Sequence, residues 1–473
     1  MPTLPARRPA APFYKKYIGD RAFYKLALTV AVPVMLQNLI TQFVNMLDNI
    51  MVGALGTEQM SGVSIVNQLV LIFNLALFGA LSGIGIFTAQ YYGKGDNDGI
   101  RYTMRYKLYV VIGLAITAIA VFLLFDEPLI RLFLHSAETG ADGDLAATLE
   151  YGKTYLVMLL WGLVPFGVSQ AFADTMRETG DTFTPMAAGF AAVGANCLFN
   201  YLLIFGKLFF PAMGVAGAAL ATVISRFLEA AILLVYAFTH KQKFPYLKKL
   251  LRGFKIPKEL LKVTTRKGAP LLVNEILWSG GFSALGVAYS LHGLDVVAGY
   301  SIATTVTNLF SIAFMALGVS IGIIVGKLLG AEKHDEAYDT ARKMIVFSFF
   351  VSVTVGLLMF AFGRYIPMLY TKTGDNAKAL ATYFIRVMGL FLPLHALSNA
   401  SYFTLRSGGK TLITFLFDSV SLWLTSVPAA FLLFYVGHLS IYWVVPLIQC
   451  LELVKDVLGL YLVKKKVWIK TII

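Results

Sequence analysis

The chain has 473 residues, 58% of them hydrophobic and 14% charged, with a formal net charge of +14 and a mean hydropathy of +0.72. Soluble domains are about 25% charged, so a soluble enzyme or binding module does not fit, and the charges gather in short segments between long apolar runs. Two cysteines, Cys197 and Cys450, both lie inside apolar runs, which leaves no basis for a disulfide framework or a thiolate metal site.

The first twenty residues carry Arg7, Arg8, Lys15 and Lys16 without the apolar stretch of a signal peptide. They read as a basic cytoplasmic tail. Twelve apolar runs follow, over 26–53, 60–92, 108–125, 152–175, 185–206, 214–239, 268–291, 296–327, 344–362, 379–403, 411–436 and 439–463. A helix needs roughly 20 residues to cross a bilayer. A transmembrane barrel instead needs alternating polarity over segments of about ten. Continuous runs such as 108–125 therefore predict helices. Thirty-one of the 40 Lys and Arg fall in the tails and loops of one side, and six on the other. By the positive-inside rule, this puts both termini in the cytoplasm of a bacterial inner membrane. The same asymmetry accounts for the net charge without a nucleic-acid partner.

The sequence repeats. At an offset of 237, Pro33 matches Pro270, Gly56 matches Gly293, Gly93 matches Gly330 and Arg105 matches Arg342. At an offset of 229, Thr175-x-Arg177 matches Thr404-x-Arg406, and Gly180 matches Gly409. Six spans per repeat is an even number, so both halves enter from the same side. The fold class is thus an all-α membrane protein of twelve transmembrane helices, in two six-helix lobes related by a pseudo-two-fold axis along the membrane normal. The expected division is an N-terminal lobe over 1–240, a basic cytoplasmic linker over 241–262 and a C-terminal lobe over 263–473.

Ionisable groups inside a span cost about 2.5–3.5 kcal/mol on insertion scales, and each needs a reason. On the first helix, Gln37, Thr41, Asn45 and Asp48 fall on one polar stripe at 100° per residue. Such a stripe faces the bundle interior or a water-filled cavity; a structural hydrogen-bond network is the alternative. Glu275 lies in span 7 beside Asn274 and one turn before Trp278, a combination suited to an organic cation or a proton. Asn196 and Asn200 share a face of span 5. With Thr222 of span 6 and Asp48 they could ligate Na⁺, or set the protonation of Asp48, or serve as polar packing. His395 in span 10 titrates near neutral pH in its unperturbed form and is a further cavity candidate. Arg226 with Glu229 reads as a local i, i+3 pair. Asp418, Glu452, Lys455 and Asp456 read as structural. No P-loop and no H-E-x-x-H pair occur, so direct ATP drive and zinc catalysis are not expected. The loops are too short for a catalytic domain, and neither an enzyme nor a cofactor is expected.

Three segments carry a family resemblance. The run Gln42-Phe-Val-Asn-Met-Leu-Asp48-Asn-Ile-Met-Val-Gly53, followed by Leu55-Gly56-Thr57-Glu58, resembles the first helix and loop of the multidrug and toxic compound extrusion (MATE) family. Ala89-Gln90-Tyr-Tyr-Gly93-Lys-Gly95-Asp96 is similar to its helix 2–3 junction, and Leu405-Arg406-Ser-Gly408-Gly409-Lys-Thr411 to its helix 10–11 junction. The resemblance implies a V-shaped two-lobe transporter that exchanges an organic, cationic or amphipathic compound for H⁺ or Na⁺. It implies that Asp48 is central to an N-lobe cation site, with Asn196, Asn200 and Thr222 where other ligands lie in some members. Asn200 stands where those members carry an acid. Glu275 matches a helix-7 acid of a second branch, and His395 stands nearest to that branch's helix-10 acid, which favours a proton or substrate contact at Glu275 over Na⁺. A small organic substrate and the lipid bilayer are the expected partners of a monomer. A flippase for lipid-linked precursors, or a channel or receptor, is the alternative.

Overall fold

The computed structural model of the chain describes residues 16–134, 144–250, 252–253, 255–370 and 373–473. The tail residues Arg7, Arg8 and Lys15 lie outside the described residues.

Helix α1 (Arg21–Gly53) starts where Asp20 accepts a hydrogen bond from the Phe23 amide at 2.8 Å, which satisfies one orphan donor of the first turn. Helix α2 (Thr57–Lys94) stops at Gly95, whose φ of 79° only glycine adopts freely. Asp96 then caps α3 (Asn97–Leu124) through the amides of Asp98 and Gly99. This helix begins about three turns before its apolar run, where the Asp96 cap starts it ahead of the greasy segment. A short α4 (Asp126–Leu134), not evident from hydropathy, follows. The fourth span is two helices, α5 (Leu145–Leu160) and α6 (Leu163–Glu178), bent by 50°. Next come α7 (Phe183–Phe205), α8 (Gly214–Thr239), α9 (Lys258–Ser290), α10 (Leu294–Gly330), α11 (His334–Phe362) and α12 (Asp375–Ser407). Helix α13 (Thr411–Tyr435) contains π-helical turns at Leu416–Val420 and Leu422–Ser426. Helix α14 (Ile441–Lys464) completes twelve spans. It carries Glu452, Lys455 and Asp456 and, unlike the other eleven, is not apolar enough to pass as a span by length and composition alone.

The repeat-related Pro33 and Pro270 sit inside α1 and α9, each removing one backbone donor. Residues Lys258 to Lys262 of the expected linker are the first turns of α9. One apolar core belongs to α1–α8 and another to α9–α14. Large apolar residues such as Ile50, Leu124 and Val457 face outward, as lipid-facing surfaces should.

The two halves meet at the end that carries the basic loops. Gly79 and Gly83 of α2 lie against Leu272 and Gly268 of α9 with no room for a methyl group. Gly93 and Gly330 make equally close approaches between α2 and α10. The final segment seals this end. Trp468 is fully buried. The Gln90 amide donates to Ser407 O at 3.0 Å and accepts from the Ile472 amide at 2.9 Å. The repeat-related arginines act alike. Arg105 donates to the carbonyls of Lys249, Leu250, Arg252 and Lys255 ahead of α9. Arg342 donates to Lys16 O ahead of α1. Each half thus pins the segment that leads into the other.

Candidate functional site

The polar stripe of α1 faces a cavity of about 790 Å³. Gln37, Thr41, Asn45 and Asp48 all line it, as do Asn196 and Asn200 of α7 and Thr222 of α8. An α-helix places residues three and four apart on one face, so one stripe delivers four polar groups along the wall. The volume suits a drug-sized molecule.

Asp48 lies one and a half turns from the end of α1 and faces the pair on α7. Asn200 Nδ2 donates to Asp48 Oδ1 at 2.5 Å. With the Asn196 amide turned so that both its ends are satisfied, its nitrogen donates to Asp48 at 3.0 Å and 3.2 Å. Its oxygen then accepts from Thr222 Oγ1 at 3.3 Å. The four residues grouped from the sequence therefore form one cluster, with amide N–H groups pointed at a carboxylate. Asp48 makes no ion pair among the described residues; the nearby Arg226 is engaged by Glu229. Among those residues no cluster of three His, Cys, Asp or Glu could hold a metal ion.

Most of the other charged groups on the cavity wall are paired. Arg226 lies 3.6 Å from Glu229, as the i, i+3 spacing suggests, and stacks over Phe166 at 4.1 Å. Towards the basic-loop end, Arg177 donates to Asp174 at 2.6 Å and to Gln37 at 2.7 Å. Glu178 pairs with Lys107 at 2.6 Å. Lys107 is fully buried, so it is an interior charge and not a loop charge. The repeat drew attention to Arg177, but nothing in the sequence pointed to Glu178 or Lys107. They are 71 residues apart and no local spacing links them.

The C-terminal candidates lie elsewhere. Asn274 is buried, donating to Asp418 at 3.1 Å and accepting from Ser419 at 2.7 Å. Trp278 packs on Phe282 with centroids 4.5 Å apart. His395 meets Gln449 at 3.0 Å. Glu275 presses its Cγ towards Gly79 of α2 at the contact between the halves. None of these four lines the cavity, to which the second half contributes residues of α10 and α12 instead, Arg406 among them. Lys455 pairs with Glu452 at 3.1 Å and lies 4.0 Å from Asp418.

In the turn between α6 and α7, burial alone would raise the Asp181 carboxyl. Bonds from Lys243 at 2.6 Å and Thr184 at 2.7 Å outweigh it and hold the group below the usual carboxylate range.

A family model described as MatE matches residues 33–202 and 270–432, one stretch in each half. The probable multidrug resistance protein NorM of Thermotoga maritima is 27% identical over 412 residues, 86% of this chain and 85% of that protein. The multidrug resistance protein MdtK of Yersinia enterocolitica is 23% identical over 89% of each chain. Among solved structures, an outward-facing multidrug resistance MATE family transporter of the MOP superfamily superposes with a TM-score of 0.82 at 19% identity. That match covers 96% of this chain and 98% of the other. A MOP superfamily transporter from Pyrococcus furiosus superposes with a TM-score of 0.80 at 19% identity, over 96% and 98%.

Proposed function

The chain belongs to the MatE family of membrane transporters, which are not enzymes, and from that premise we propose that it exports organic compounds in exchange for protons. The observation that carries the reading is the hydrogen-bonded carboxylate of Asp48 on the wall of the cavity. A carboxylate bonded by two asparagine amides changes its partners when it gains a proton, because the protonated oxygen becomes a donor and repels an N–H. Protonation therefore alters the ties between α1 and α7. Sodium would instead need the amide oxygens turned inward, so the two ions call for opposite amide orientations around Asp48.

The moving bodies in this account are the halves 1–240 and 263–473, joined by the linker 241–262. The basic loops face the cytoplasm of the inner membrane, where both termini also lie, and a single chain does the work. The halves are closed at the basic-loop end, so this state faces outward. Separation of α2 from α9 would uncover Glu275, which presses on Gly79 in this state, and load substrate from the cytoplasm. Substrate then leaves as protons enter down their gradient.

The test is accumulation of a fluorescent organic cation by energised inverted vesicles. Wild-type chain should fill the vesicles, and Asp48→Asn should slow filling by at least about tenfold, equivalent to about 1.4 kcal/mol. Equal rates would rule out Asp48 as the coupling group.

A further inference from the structure

The cavity wall carries four acids, Asp48, Asp174, Glu178 and Glu229, and three arginines, Arg177, Arg226 and Arg406. Pairing removes most of them. Asp174 holds Arg177, Lys107 holds Glu178, and Arg226 holds Glu229. Two are left without an ion-pair partner among the described residues: Asp48, and Arg406 at the basic-loop end.

The repeat explains how Arg406 came to be single. Arg177 is its counterpart at an offset of 229 and is neutralised by Asp174 and Gln37. The position matching Asp174 holds Phe403, and the one matching Gln37, at an offset of 237, holds Asn274. Phe403 offers only its ring face, 5.0 Å from the Arg406 guanidinium. Asn274 is turned away towards Asp418 and Ser419. The position matching Glu178 is Ser407. The second half carries an acid at neither of the positions that match Asp174 and Glu178. Arg406 is only 7% exposed, and its Nη1 has no hydrogen-bond partner. Glu275 lies within Coulombic range of it, but beyond ion-pair distance and off the cavity wall. A guanidinium stays charged at any physiological pH. A buried one facing a drug-sized cavity without a counter-ion is a ready anion site.

We propose that Arg406 binds a carboxylate of the exported compound, so that substrates carrying a carboxylate are preferred over the matching esters. This rests on the export reading and adds a substrate class to it.

The probe is a matched pair: a rhodamine dye with a free carboxylate, which is zwitterionic, and its methyl ester, a plain cation. Binding to the purified full-length chain is followed by fluorescence anisotropy. Wild type should prefer the acid by about tenfold, the scale of a charge-assisted hydrogen bond. Arg406→Gln should abolish the preference while ester affinity stays, and Arg406→Lys should keep part of it. Phe403→Asp restores the acid present in the first half. It should neutralise Arg406 in place and also erase the preference, which keeps the proposal open to refutation if Arg406→Gln does not fold. Equal binding of both dyes by wild type, or a preference that survives these variants, overturns the Arg406 assignment and leaves export standing. If neither dye binds wild type, the export reading falls, and this proposal with it.

Discussion

Single residues matter here through what their charge meets in a dry interior. Lys107 and Glu178 illustrate it. The lysine is fully buried, and its one carboxylate partner among the described residues is Glu178 at 2.6 Å. Glu178→Gln strands a buried ammonium and should destabilise the chain by about 3–5 kcal/mol, whereas the double variant with Lys107→Met should recover most of the loss. Thermal unfolding of the purified protein reads both; a double variant as unstable as the single one would contradict the ion-pair account. The pair was invisible in the sequence, where Lys107 counts as one more basic residue near a loop. Asp48 was legible because a helix has a fixed angular step, and a polar stripe on an apolar helix has few explanations. That Asn196, Asn200 and Thr222 converge on it depends on how α1, α7 and α8 pack. The residues offered that grouping beside polar packing, and the family resemblance implied it.

Elements show where hydropathy reads well and where it fails. Eleven of the twelve runs correspond to single helices, but run 152–175 is broken at Trp161 and Gly162. Hydropathy sums composition and is blind to a bend, so it also missed the π-helical turns of α13. The turn between α6 and α7 is held to the linker by Asp181 and Lys243. Because Asp181 is held below its usual range, the bridge adds stability above the unfolded carboxyl value. It loses that contribution as pH falls through the lower folded one. Hydrogen exchange in this turn should therefore be slower in wild type than in Asp181→Asn at neutral pH, with the difference fading well below about pH 4. A difference that persists unchanged into acid would show that the bridge is not its source.

For the molecule as a whole, the two halves are held together at one end by glycines that allow backbone contact. Gly83 against Gly268 is the tightest point between α2 and α9. Gly83→Leu should prop the basic-loop end open. With Cys197 and Cys450 replaced, a cysteine at Ser407, now almost fully buried, should react with a membrane-impermeant maleimide from that side only in the Gly83→Leu background. Equal labelling with and without the leucine would mean that this contact does not gate the cavity. The two-lobe plan itself was readable from the repeat, since Pro, Gly and Arg recur at fixed offsets that apolar composition does not produce. The Phe403 and Asp174 mismatch was present in the same alignment. It gained meaning only when the cavity showed which charges remain single.

Exchange of a proton for cargo at Asp48 is tested most directly in proteoliposomes loaded with a fluorescent organic cation. An imposed pH gradient should drive counterflow in wild type and fail to do so in Asp48→Asn, and an imposed Na⁺ gradient at constant pH should drive neither. Transport that follows Na⁺ alone, or a pH-driven flux undiminished in Asp48→Asn, would contradict the account.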